Sequence, residues 1–279
     1  MQVLIIGANG MLGRALQKQF EADQVIAWDK NELDITRHDE VFEQISICGP
    51  DLVINAAACT NVEKAEEEEM VANMVNGDAV GYLAETCAKL DVPMVHISTD
   101  YVFPGDKQDG YTEEDIPGDA KSAYGRSKLL GEQLLQKHAD KFWLIRTAWL
   151  FGPMGKNFVE TMIGLGKQKK ELKIVDDQHG CPTYTRDLAQ AIFKMTHEQA
   201  PYGIYHITNS GSTTWAGFAK EIFKIMEMSV NVVPVTSEEF LTKAQRPKWS
   251  ILKNTKRPLM RSWQEALKDY INIRNIKNP

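Results

Sequence analysis

The hydrophobic positions in the first half of the chain fall into two alternating kinds of segment. VLIIG (3–7), QVIAW (24–28), DLVINAA (51–57), PMVHIST (93–99) and FWLIRTAW (142–149) are short apolar runs without polar alternation. Such runs belong to parallel strands that are covered on both faces. Helical periodicity lies between them, at 10–21, 37–47, 62–90 with a break, and 122–138. Thr36-Arg37-His38-Asp39 and Thr60-Asn61-Val62-Glu63 each fit the capping pattern of a helix start. Strand, helix, strand, repeated, predicts an α/β fold with a doubly wound parallel sheet and right-handed crossovers.

Past residue 150 the rhythm changes. Gly152, Pro153 and Gly155 interrupt it, and helices are predicted at 156–168, 184–197, 214–227 and 262–272 with short strands between. The expected organisation is a first domain over 1–151, to which part of about 180–208 returns, and a smaller α/β domain mainly over 152–279.

Composition narrows the class without changing the fold. The 279 residues, 43% hydrophobic and 25% charged, suffice for one large core or two joined ones. A net charge of −6 gives no overall basic field for nucleic acid or an anionic membrane. The basic run KQKK at 167–170 reads as a solvated face. Cys48, Cys59, Cys87 and Cys181 form no C-x-x-C pair, which argues against zinc and against a disulfide framework. The start MQVLIIGANG enters a strand without a basic leader, and no apolar run approaches the ~20 residues of a membrane span. The expectation is a cytoplasmic protein with no nucleic-acid partner, no membrane partner and no metal.

Candidate chemistry begins at GANGMLG, residues 7–13, directly after the first strand and opening a helix. Gly7 suits a tight turn, Gly10 lets backbone approach a pyrophosphate, and Gly13 lets helix pack on strand. The helix start then presents free N–H groups and partial positive charge to phosphates. Strand before and helix after is the context a dinucleotide fingerprint requires. Twenty-two residues past Gly7 the second strand ends at Asp29, placed to accept from ribose hydroxyls. Asp29 favours NADH, whereas Lys30, Arg14 or Arg37 would soften its repulsion of a 2′-phosphate, so NADPH and NADH both stay open.

A nicotinamide cofactor gives meaning to SAYGRSKLLGE, residues 122–132. Tyr124 and Lys128, four apart, share one helix face. An ammonium beside the phenol would lower its usual pKa of ~10 toward a value useful for proton transfer. The third partner should come from the end of the fourth strand, where Ser98 and Thr99 both offer a hydroxyl.

GANGMLG, NAAACTNVEKAE (55–66), STDYVFPG (98–105), YGRSK (124–128) and IRTAWLFG (145–152) together resemble the extended short-chain dehydrogenase/reductase superfamily. Within it the chain most resembles the dTDP-4-dehydrorhamnose reductase family, and HGCPTYTRDLA (179–189) and RPKWSIL (246–252) extend the likeness through the second half. The resemblance implies reduction of a nucleotide-sugar ketone, dTDP-4-dehydro-β-L-rhamnose, by NADPH or NADH, in a monomer or homodimer. It implies Tyr124, Lys128 and Thr99 as catalytic residues. It implies cofactor contacts at Gly7, Gly10, Met11, Leu12, Asp29, Asp34, Ile35, Ala56, Ala57 and Ala58, with Tyr124 and Lys128 shared. Substrate contacts would come from Thr99, Asp100, Tyr101, Tyr124 and Trp149. Asp34 also reads locally as a helix cap, and Trp149 as core. Cys59 departs from the larger residue usual in the family. Two rivals are another nucleotide-sugar epimerase or reductase of the superfamily and a non-catalytic NADP-binding regulatory subunit.

Overall fold

The computed structural model describes residues 1–277. Its strands are β1 (Gln2–Ile6), β2 (Gln24–Trp28), β3 (Leu52–Asn55), β4 (Met94–Thr99), β5 (Phe142–Thr147), β6 (Leu150–Phe151), β7 (Glu171–Val175), β8 (His179–Gly180), β9 (Thr183–Tyr184), β10 (Gly203–His206), β11 (Thr213–Thr214) and β12 (Asn231–Val235). The helices are α1 (Met11–Gln19), α2 (His38–Cys48), α3 (Val62–Glu67), α4 (Glu69–Asn73), α5 (Ala79–Lys89), α6 (Ala123–His138), α7 (Phe158–Gly166), α8 (Thr185–His197), α9 (Trp215–Ile225) and α10 (Trp263–Lys277).

Six strands form one parallel sheet in the order β2-β1-β3-β4-β5-β10. Period-two geometry divides each strand between two cores. Val3 and Ile5 of β1 pack with Leu12, Leu16, Leu188 and Ile192 of α1 and α8. Leu4 and Ile6 pack with Val41, Ile45, Val80, Leu83 and Leu135 of α2, α5 and α6. Burial on both faces explains the unbroken apolar runs, each fully buried Val, Leu or Ile contributing about 1.5–3 kcal/mol. A separate core gathers Phe151, Ile163, Ile174, Phe218, Trp263 and Leu267 from β6, α7, α9, α10 and the β7–β12 pair. Strand order reverses direction between β1 and β3, so the crevice at their carboxyl ends is where such a sheet holds a ligand.

The doubly wound parallel sheet is present as expected. The helix-start pattern needs correction at both sites. Helix α2 has no side-chain cap; instead the Asp34 carboxylate accepts from the Thr36 amide at 3.1 Å and the Thr36 hydroxyl at 2.7 Å. At α3 the cap is Asn61, which accepts from the Lys64 amide at 3.1 Å, not Thr60. A short polar side chain that caps its own turn competes successfully with the spaced hydroxyl. The predicted break in 62–90 falls at Glu68, between α3 and α4, and a π-helical turn, Met74–Asp78, then joins α4 to α5 without interruption. Among the described residues no helix is long and apolar enough to cross a membrane.

Candidate active site

Gly7 leaves β1 with φ +79° and is pressed against the turn after β3, where a Cβ would lie 2.5 Å from the Ala57 nitrogen. Gly13 faces the Gly7 carbonyl so closely that only hydrogen fits. Gly10, by contrast, is exposed and begins α1, whose first turn carries no side-chain cap. Uncapped N–H groups at an open helix start are what an anionic diphosphate would use. Asp29 directly follows β2 beside this turn; its Oδ2 accepts from the Asn9 amide at 2.9 Å. The residues present therefore fit a dinucleotide.

Gly7→Ala is expected to cost about 1–3 kcal/mol of stability from the left-handed backbone, with added loss from the Ala57 contact. Denaturant titration and a dinucleotide binding curve would check both effects.

The remaining residues predicted for the cofactor divide by side chain. Met11 sits at the turn, with its sulfur 3.7 Å from Asn157 Nδ2 of the loop before α7. Leu12 and Ile35 are buried in the two sheet cores, which leaves only their backbone for a ligand. Asp34 is occupied by its own turn, bonded to Thr36 ahead of the α2 N-cap Arg37, so it neither caps the helix as the local reading expected nor leaves Oδ1 free. Ala56, Ala57 and Ala58 line the far side of the crevice, half-buried. Lys30 is exposed 4.0 Å from Asp34, Arg37 pairs with Glu40 at 2.8 Å, and Arg14 holds the Asn9 carbonyl at 3.1 Å.

Helix α6 is capped by Ser122, which accepts from the Gly125 amide, and this places Tyr124 in the first turn and Lys128 one turn later. The Thr99 hydroxyl lies against the Tyr124 phenol at the end of β4. Ser98, the other candidate, turns away and donates to Glu132. Lys128 is 1% exposed, and burial lowers its ammonium to about 8. Its Nζ donates to the Ile97 carbonyl at 2.7 Å and lies 3.3 Å from His96 Nε2. Burial pushes the Tyr124 phenol up to about 12; Thr99 opposes that shift and Asp100 adds to it. The expectation that Lys128 lowers the phenol is thus corrected: with its ammonium tied to β4, desolvation governs the tyrosine.

Asp100 is 2% exposed directly beyond Thr99. Tyr101 packs edge-on to Tyr124, with ring centroids 5.8 Å apart, and Arg246 faces its phenol. Trp149, held at φ +46°, stacks on Trp215 at 3.5 Å and 5°. Only glycine at position 180 leaves room for the Trp149 ring. Trp215 and Arg246 wall a cavity of about 690 Å³ that Phe158, Ile174 and Phe240 also line. A second cavity, about 780 Å³, contains none of the predicted site residues, and in it Arg257 pairs with Glu198 and Arg261 with Asp187.

Sequence reasoning missed His96, Asn76 and Trp215. His96 Nδ1 lies 3.2 Å from Asn55 Nδ2, and Asn55 accepts from the Ala57 amide, so Lys128 is linked to the crevice wall. Asn76 in the π-turn clamps Cys59 by both its N–H and its C=O and donates to Ser127 beside Lys128. None of the three lies in a spacing pattern that identifies it.

Residues 1–276 match the family described as RmlD substrate binding domain. The spore coat polysaccharide biosynthesis protein SpsK of Bacillus subtilis is 40% identical over 98% of this chain and 98% of its own. A dTDP-4-dehydrorhamnose reductase structure from Clostridium acetobutylicum is 43% identical with a TM-score of 0.95, covering 99% of this chain and 100% of that one. The dTDP-4-dehydrorhamnose reductase of Bacillus anthracis, solved in complex with NADP, is 40% identical with a TM-score of 0.94 over 98% and 99% of the two chains. With the glycine turn, the Tyr124–Lys128 helix and the second lobe all inside these matches, the chain belongs to the dTDP-4-dehydrorhamnose reductase family, the family of the RmlD substrate binding domain.

Proposed function

We propose that this protein reduces the C4 ketone of dTDP-4-dehydro-β-L-rhamnose to the alcohol of dTDP-L-rhamnose. The observation that supports the reading is the Thr99 hydroxyl against the Tyr124 phenol, on a helix that also bears Lys128, in a fold whose first helix starts uncapped at a glycine turn that fits a diphosphate. Gly10, Met11 and Leu12 would hold the diphosphate by backbone, Asp29 the adenosine ribose, and Lys128 the nicotinamide ribose. NADPH or NADH, when bound, supplies the hydride for C4.

Tyr124 gives its phenolic proton to the C4 oxygen as negative charge develops there. A phenol raised to about 12 stays protonated across neutral pH, the state a proton donor in a reduction must hold. Thr99 orients the oxygen. Trp149, backed by Trp215, offers a rigid aromatic wall for the sugar or base, and left-handed backbone at such a residue is strain of the kind found at ligand clamps. The same reading assigns 1–151, with part of about 180–208, to dinucleotide binding and the rest of 152–279 mainly to substrate; β10 and α8 support this by joining the first sheet and its core.

The test is loss of reduced-dinucleotide absorbance with purified protein and dTDP-4-dehydro-β-L-rhamnose, run separately with NADPH and NADH. Turnover is expected with at least one. Dinucleotide binding without turnover on this sugar would overturn the assignment. Asp29→Asn, which removes the charge and keeps the shape, is expected to shift the ratio of the two binding constants toward NADPH by about tenfold, ~1.4 kcal/mol.

A further inference from the structure

Asp100 is an acidic residue placed where ionisation is costly. It is 2% exposed, its Oδ1 lies 3.0 Å from the Thr99 hydroxyl, and its Oδ2 is buried without a protein partner. The groups that act on it are neutral: the Thr99 and Ser250 hydroxyls and nearby backbone amides. Ser250 is itself committed to the His179 carbonyl at 3.2 Å. A buried carboxylate with an unsatisfied oxygen and no cation meets the full desolvation penalty, which a neutral carboxyl avoids. The titratable neighbours do not relieve it. Tyr124 on α6, Tyr101 on the same turn and Cys181 beyond β8 are all held neutral by burial. Arg246 faces the Tyr101 phenol, and Lys128 is engaged by Ile97 and His96.

Counting protons gives this carboxyl a role. Thr99 Oγ1 accepts from the Tyr101 amide at 3.2 Å and has a single proton of its own. Beside an ionised Asp100 that proton must point to Oδ1, because a carboxylate only accepts. The Tyr124 proton is then drawn toward Thr99 and away from a substrate oxygen. With the proton on Oδ1 the direction reverses: Asp100 donates to Thr99, Thr99 donates to the Tyr124 oxygen, and the phenolic proton is left for the ketone.

Resting on the reductase reading above, we propose that Asp100 is a neutral acid and a positioning residue, whose donated hydrogen bond to Thr99 sets the direction of the Asp100–Thr99–Tyr124 chain. The proton handed to the product oxygen is Tyr124's and returns to the phenolate from solvent; Asp100 keeps its own.

Two measurements with Asp100→Asn test this. In the wild type, kcat is expected to fall about tenfold per unit as pH rises beyond about 7, where burial places the ionisation of Asp100. The asparagine variant cannot ionise and is expected to lose that limb. The second readout is stability of the protein without substrate. Because the folded pKa is raised above the unfolded ~3.9, the native state holds an extra proton between about 4 and about 7. Wild-type stability should therefore decline through that window relative to Asp100→Asn, and the gap in Tm should widen with pH. A limb whose midpoint stays near 7 in the variant instead of moving toward the 8 of Lys128, or a Tm difference (variant minus wild type) that does not rise with pH, overturns the proposal. A wild type that shows the widening gap yet reduces no keto-sugar overturns the reductase reading and Asp100's positioning role with it. If the variant does not fold, the infrared band of a protonated carboxyl in the wild type reads the same state, and its absence at pH ~6 is equally decisive against the neutral acid.

Discussion

Tyr124→Phe is expected to lower kcat by about 10²–10⁴-fold, ~3–5 kcal/mol in the barrier, while dinucleotide affinity stays within about twofold of wild type. The substitution removes one oxygen and leaves the ring in its edge-on contact with Tyr101. Lys128 keeps its bonds to Ile97 and His96, and the glycine turn is untouched. A loss confined to kcat therefore isolates proton donation from binding. Stopped-flow reduction with saturating dinucleotide, beside a fluorescence titration of binding, makes the check. A variant with wild-type kcat would remove Tyr124 from the mechanism.

The second large effect concerns stability. Arg146 on β5 and Glu132 on α6 are both fully buried and joined by three hydrogen bonds of 2.7–3.2 Å. Ser98 donates to the same carboxylate, His206 lies 3.4 Å from Arg146 Nη1, and the guanidinium sits 5.0 Å from the Phe103 ring centre. Burial and the adjacent Arg146 depress the His206 imidazole to about 4, so it stays neutral and can accept. Arg146→Met leaves the Glu132 charge buried and unpaired, and a loss of about 3–5 kcal/mol is expected. Glu132→Gln added to Arg146→Met should recover ~1–2 kcal/mol, since only the uncompensated charge is removed. Urea unfolding of the single and double variants measures both. If the double variant is no more stable than Arg146→Met, desolvated charge is not the cause. The pair joins β4, β5, β10 and α6 directly behind Thr99 and Lys128, so its loss should also loosen the site.

Much of this molecule is written locally. The five apolar runs and the helices between them follow from burial on both faces of a sheet, a property of each short window. The glycine turn was equally legible, because Gly7 and Gly13 answer to steric demands a few residues away. Tyr124 and Lys128 could be paired because one helix turn sets their spacing. The errors share a cause with the omissions. The caps at Thr36 and Thr60 failed where a nearby carboxylate or amide formed a tighter bond, a competition that spacing does not rank.

Which side chains the fold would join was not legible. Trp149 meets Trp215, Glu63 meets Arg246 at 2.7 Å, and Arg146 meets Glu132 and His206 through contacts that no periodicity records. Ionisation states were further out of reach. A motif names Tyr124, Lys128 and Asp100, but desolvation sets their pKa values, and desolvation exists only once the chain has closed around them. The sheet, the glycine turn and the helix that bears Tyr124 and Lys128 depend on neighbours along the chain, and so they can be read from it. Where the ammonium of Lys128 points, what backs the Trp149 ring and how Asp100 is buried depend on neighbours brought together from distant parts of the chain, and so they are settled only by folding.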